Sequence, residues 1–147
     1  AMDKPAALIW NDSLKTGVPE IDEQHRILVH TLNEAAEKLG ADASLDVLAT
    51  ITQDLLSYAL YHFETEEALM HAYGYAADRD DIARHLEEHR NFSAQVVCVR
   101  NDLKAGILIP PQELLDFLNH WLVNHIMHTD KRLAAFIIAK RDAGIQP

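Results

Sequence analysis

The chain has 147 residues, a formal net charge of −10 and a single cysteine, Cys98. That is the size of one domain, long enough to bury a core without staples, and the lone thiol excludes an internal disulfide framework. The acidic balance repels phosphate, so neither nucleic acid nor an anionic membrane is expected as a partner.

No apolar run approaches the roughly 20 residues that cross a bilayer. The richest stretch, Leu114 to Ile126, is broken by Asp116, Asn119, His120, Asn124 and His125. With no leader pattern at the N-terminus, the expected setting is cytoplasmic. Nine histidines are the oddity of the composition. Histidine is both the commonest neutral metal ligand and an ordinary surface residue, so position must decide between the two.

In chain order, residues 1–18 show no helical period and are read as an N-terminal arm. Residues 19–141 then form one domain of four amphipathic helices without strand alternation, an all-α class. The first helix is predicted from about Pro19 to Leu39, with Ile21, His25, Leu28, Leu32, Ala35 and Leu39 on one stripe and Gly40 as its stop. The second begins after the N-cap Ser44 and runs to about Tyr73, its stripe being Leu48, Ile51, Leu55, Tyr58, His62, Glu66 and Leu69, before Gly74.

The third is predicted over about Arg79 to Lys104, with Ile82, His85, His89, Phe92, Val96, Val99 and Leu103 inward and Gly106 after it. The fourth opens at Pro110-Pro111 and runs to about Arg141, presenting Leu114, Leu118, Trp121, His125, Leu133 and Phe136. Short connections favour antiparallel neighbours, hence an up-down-up-down four-helix bundle.

Ionisable side chains occupy places where core leucines belong. His25, His62, Glu66, His85, His89 and His125 all fall on inward stripes, and burying each without a partner costs on the order of a few kcal/mol. In an up-down bundle the starts of the first and third helices lie level with the ends of the second and fourth. His25, His85 and His89 are early in their helices, while His62, Glu66, His125 and Asp130 are late in theirs. All seven therefore converge near one level, where a shared cation would satisfy them together.

His62 and Glu66 are four residues apart, as are His85 and His89, so each pair projects from one helix face. His125 and Asp130 are five apart. On an ideal helix that leaves the carboxylate about 140° around from the histidine, which predicts a local π-type turn or a long reach by Asp130.

These residues also form a known pattern. Trp10, the run Gly17-Val18-Pro19-Glu20-Ile21-Asp22-Glu23-Gln24-His25, His62-Phe63 before Glu66-Glu67, His85 with His89, and Trp121 with His125 through Asp130 together resemble the hemerythrins, in particular the bacterial hemerythrin-like proteins. The resemblance spans about Trp10 to Phe136. It implies two non-haem iron ions joined by a bridging oxide or hydroxide, one held by His85, His89 and His125 and the other by His25 and His62, with Glu66 and Asp130 bridging. The second iron keeps an open position for dioxygen. Leu28, Trp121, Leu122 and Ile126 are implied as an apolar pocket for that ligand, although a helix stripe leaves plain core packing equally open.

The implied function is reversible dioxygen binding for storage, delivery or sensing, and not catalysis. The alternative is a di-iron oxidase, peroxidase or nitric-oxide-handling enzyme on the same ligands. Ferritin-like catalysts supply Glu-x-x-His pairs, which do not occur in this sequence. No protein partner is specified by the sequence.

His30, His71, His120 and His128 match no ligand position and are read as solvated, with His128 a minor candidate for a partner behind the ligands. Glu67 points about 100° from Glu66 and is expected at the surface or as a hydrogen-bonding neighbour. Asp78, Asp80 and Asp81 suit a helix N-terminus. Cys98 is expected to be a buried, inert thiol, and Tyr58 a core residue.

Overall fold

The computed structural model describes residues 10–39, 43–75 and 79–147; the expected stop at Gly40, Asp78 and the first half of the arm lie outside them. A short 3₁₀ turn at Asp12–Leu14 precedes α1 (Pro19–Lys38), α2 (Leu45–Tyr73) and α3 (Arg79–Lys104). The fourth rod has three parts: α4 (Pro111–Asn124), one π turn (His125–Asp130) and α5 (Lys131–Asp142). The class is all-α, a four-helix bundle, with no strand among the described residues.

Local chemistry sets the helix ends. Pro19 opens α1, where its missing N–H is no loss. The Ser44 hydroxyl caps α2 by accepting from the Val47 amide at 3.2 Å. Gly74 closes that helix in the left-handed conformation, φ 74°. Asp80 and Asp81 sit in the first turn of α3, where carboxylates complement the helix dipole.

The arm is tied to the bundle. Asp22 accepts from the Thr16 amide and hydroxyl, both at 2.8 Å, and from the Gly17 amide at 3.1 Å. Lys131 donates to the Ser13 carbonyl at 2.6 Å, and the Arg26 guanidinium lies over the Trp10 ring. Leu14 and Val18 are buried, so the lower arm contributes to the core.

α1 packs on α2 and α4, and α3 on α2 and the π turn. Two apolar clusters result. One gathers Leu28, Leu32, Leu55, Phe63, Phe92, Leu118 and Ile126, and the other Val18, Ile21, Met70, Tyr73, Leu133 and Ile137. In α1 the two are separated at His25, in α2 at Glu66, and in the fourth rod across the π turn. A polar layer thus divides the apolar core.

The buried face of α2 is wider than its predicted stripe. Thr52, Ala59, Phe63 and Met70 are buried while Tyr58 and Leu69 are only partly so. This helix touches α1, α3 and α5, so an arc and not a line is covered.

Candidate metal centre

Each ligand candidate replaces an apolar residue on a stripe that packing already turns inward. His25 follows Ile21 by one turn and precedes Leu28; His62 and Glu66 share a face of α2, and His85 and His89 a face of α3. His125 and Asp130 bound the π turn, whose extra residue brings a five-residue spacing onto one face. Asp130 is fully buried, and all seven residues are at most 3% exposed.

The ligand atoms form two overlapping groups. Glu66, His85, His89, His125 and Asp130 make one, and His25, His62, Glu66 and Asp130 the other; within each group all lie within 4.8 Å of one another. Both carboxylates belong to both groups. His25 Nε2 is 2.7 Å from Asp130 Oδ2, His62 Nε2 is 3.0 Å from Glu66 Oε1, and His125 Nε2 is 2.9 Å from Asp130 Oδ1. His85 Nε2 lies 3.2 Å from Asp130 Oδ1, and His89 Nε2 3.3 Å from Glu66 Oε1.

Close approach is not the same as hydrogen bonding here. Both ring nitrogens of His25 and His85, His62 Nε2, and both oxygens of Glu66 and Asp130 are buried without an aligned hydrogen-bond partner. Left so, each group costs about 1–3 kcal/mol or more. Lone pairs that converge on a common point are instead what a cation requires, and imidazole with carboxylate is a donor set suited to first-row transition metals. The residues present fit a pair of cations sharing two carboxylates.

Without a cation, the side chains of the cluster charge one another. Burial works against charging His85, but Asp130 and Glu66 outweigh it and raise its pKa to about 8. Burial likewise opposes charging of His125, and Asp130 chiefly reverses that, holding it well above the usual imidazole range. Burial pushes Glu66 upward, yet His62, His125 and His85 hold it well below the ordinary carboxylate range. Burial and the neighbouring Glu66 also raise Asp130, and His125 with His25 bring it below its usual value.

Behind the cluster stand three residues bonded to outer imidazole nitrogens. His62 Nδ1 donates to Gln24 Oε1 at 2.6 Å, and Gln24 in turn donates to Thr65 Oγ1 at 3.0 Å. His89 Nδ1 donates to Glu67 Oε2 at 3.2 Å. His125 Nδ1 lies 3.4 Å from Glu88 Oε1, and the Thr129 hydroxyl holds both Glu88 oxygens at 2.8 and 2.6 Å. These bonds favour the tautomer in which Nε2 of each ring faces the cluster, where its lone pair is available once the ring gives up a proton to a cation.

Sequence reasoning anticipated Glu67 as a neighbour but missed Gln24 and Glu88. Gln24 is adjacent to a ligand in sequence and Glu88 sits one turn from His85, but both lie beside the inward stripe, so spacing alone does not assign them a role.

An apolar cavity of about 30 Å³ adjoins the cluster, with His62 and His125 in its wall beside Leu28, Phe63, Trp121 and Leu122. One water needs about 10–15 Å³ on this measure, so the space takes a diatomic molecule. Ile126 is fully buried in the same core but is not part of the cavity wall. The Trp121 ring stacks on His125 at 4.4 Å between centroids and Phe63 on His89 at 3.9 Å, which restrains both imidazoles.

Elsewhere, His30, His71, His120 and His128 are exposed. The expectation for Cys98 is corrected: its thiol is exposed, because Val96 and Leu103 take the inward face of α3 and leave residue 98 outside. No described helix is long and apolar enough to cross a membrane.

Fold and site together define a class: a helical bundle whose core holds a buried histidine- and carboxylate-rich cluster that could hold metal. Residues 16–137 match the profile of the family described as "Hemerythrin HHE cation binding domain". The chain is 34% identical over 126 residues to a bacteriohemerythrin of Pseudomonas aeruginosa, covering 85% of this chain and 78% of that one. It is 27% identical over 128 residues to myohemerythrin-1 of Phascolopsis gouldii, covering 87% and 92%. A crystal structure of wild-type hemerythrin matches with a TM-score of 0.80 at 27% identity, covering 90% of this chain and 98% of the other. The chain belongs to the hemerythrin family.

Proposed function

We propose that this protein binds dioxygen reversibly at a non-haem di-iron centre, for oxygen storage, delivery or sensing. The observation that carries the reading is that Glu66 and Asp130 are common to both ligand groups, an arrangement suited to two bridged cations. His85, His89 and His125 would hold one iron, and His25 and His62 the other, with an oxide or hydroxide completing the bridge. The position with fewer histidines would keep room for a ligand, and the cavity, whose wall includes His62 and His125, lies against the cluster.

When bound, the iron pair would supply the electrons that dioxygen takes up on binding and gives back on release. The chain's own residues do the rest. Leu28, Trp121 and Leu122 wall off water, with Ile126 packed in the core behind them. Gln24 and Glu67 hold His62 and His89 in register. Apart from the two ligand histidines His62 and His125, the cavity wall is aliphatic and aromatic, with no further acid or base beside a bound ligand. That favours carriage over catalysis. The exposed Cys98 thiol suits a reducing, cytoplasmic setting.

The test is anaerobic reconstitution with Fe²⁺, metal analysis, and optical spectra through cycles of air and deoxygenation. Two irons per chain and a charge-transfer band that appears and disappears reversibly are expected. Irreversible bleaching, with turnover of peroxide and a reductant, would instead assign an enzyme. Failure to retain iron would overturn the reading.

A further inference from the structure

We infer that the two cation positions are unequal because of the groups behind the ligands: Glu67 and Glu88 make the His85, His89 and His125 position fill first, and Gln24 leaves the His25 and His62 position the weaker one. The inference rests on the binuclear reading above and deepens it.

Glu66 and Asp130 belong to both positions, so they cannot tell the two apart. The outer partners can. On the three-histidine side, His89 and His125 each direct Nδ1 to a carboxylate, at 3.2 Å to Glu67 and 3.4 Å to Glu88. On the two-histidine side, His62 directs Nδ1 to a neutral amide, Gln24, at 2.6 Å. The amide's orientation is set by a directed chain: Gln24 donates to the Thr65 hydroxyl, and that hydroxyl donates to the Tyr61 carbonyl at 3.2 Å. The Gln24 carbonyl is thereby turned to His62.

A carboxylate accepting from Nδ1–H pushes electron density toward Nε2 and makes the ring a stronger donor; a neutral amide does so less. Glu67 and Glu88 also keep contact with solvent, their side chains being 46% and 30% exposed. They therefore bring two negative charges up to the buried ligands without the full desolvation cost of a buried carboxylate. Thr129 fixes Glu88 through both oxygens, so its charge is held in place. Three imidazoles, two of them carboxylate-backed, stand against two imidazoles, one of them amide-backed.

The experiment is an anaerobic titration of the metal-free protein with Co²⁺, followed by calorimetry and visible absorption, with circular dichroism as the check on folding. Repulsion between two cations would by itself split binding into two steps, so the variants carry the test. Glu67→Gln and Glu88→Gln are each expected to weaken the first step by about tenfold or more and leave the second unchanged. Gln24→Glu should strengthen the second step and narrow the gap. Thr129→Val, which removes the tether of Glu88 but not its charge, should weaken the first step less than Glu88→Gln does.

Carboxylate variants that weaken the second step, or neither, would overturn the inference while leaving two bound cations intact. A Thr129→Val effect as large as that of Glu88→Gln, with Glu67→Gln silent, would also overturn it by showing that placement and not charge matters. Uptake of a single Co²⁺, or none, would overturn the binuclear reading itself.

Discussion

Trp121 illustrates how one side chain serves packing and chemistry together. Its ring stacks on His125, meets Phe92 at 4.4 Å, and forms part of the cavity wall. Trp121→Ala is expected to cost about 3 kcal/mol in denaturant unfolding, since the void is only partly refilled. It should also admit water beside His125 and speed autoxidation of the oxygenated protein severalfold, read as decay of its optical band. An unchanged decay rate with the stability loss intact would make Trp121 core alone. At this scale the sequence was readable where an ionisable residue stood on an apolar stripe, as at His25 or Glu66. It was not readable at Gln24 and Glu88, which lie beside the stripe and whose role depends on which neighbouring helix they meet. Cys98 was misplaced for the same reason, since a residue next to a stripe is assigned inward or outward only by the width of the buried arc.

The fourth rod shows what a single irregular turn achieves. His125 and Asp130 are five apart in sequence, and the π turn aligns them; on α2 a four-residue spacing does the same for His62 and Glu66 without distortion. Because such a turn amounts to one added residue, deleting the exposed His128 is expected to restore regular α-helix, with His125 and Asp130 four apart. Leu133 and Ile137 should keep their facing, and two cations should still bind by metal analysis. Loss of one cation would show that the widened turn, and not just the shared face, is needed. The irregularity was legible in advance because the spacing conflicted with helical geometry. Helix ends at Ser44, Gly74 and Pro111 were legible from capping chemistry. The breadth of the buried face of α2 was not, because it depends on how many neighbours pack against it.

Across the whole molecule the polar layer between two apolar clusters ties stability to protons as well as cations. In the metal-free protein His85 titrates at about 8 against an ordinary value of 6.5. Its raised pKa contributes about 2 kcal/mol, fully present below pH 6.5 and lost as the pH rises through 8. His125 shifts in the same direction. Glu66 and Asp130, both lowered, contribute stability that is lost as the pH falls below the ordinary carboxylate range and through their own depressed values. Thermal melts of the metal-free protein should therefore peak at mildly acidic pH and decline toward pH 9. Loading cations should reverse the alkaline decline, because metal competes with the protons on the imidazoles. A metal-free protein equally stable at pH 6 and 9 would contradict the ion pairing described within the layer.

The most direct measurement is anomalous diffraction at the iron edge from crystals of the Fe²⁺-reconstituted protein. Two peaks are predicted, both within bonding distance of Glu66 and Asp130, one also ligated by His85, His89 and His125 and the other by His25 and His62. A single peak, or iron bound away from these carboxylates, would contradict the account.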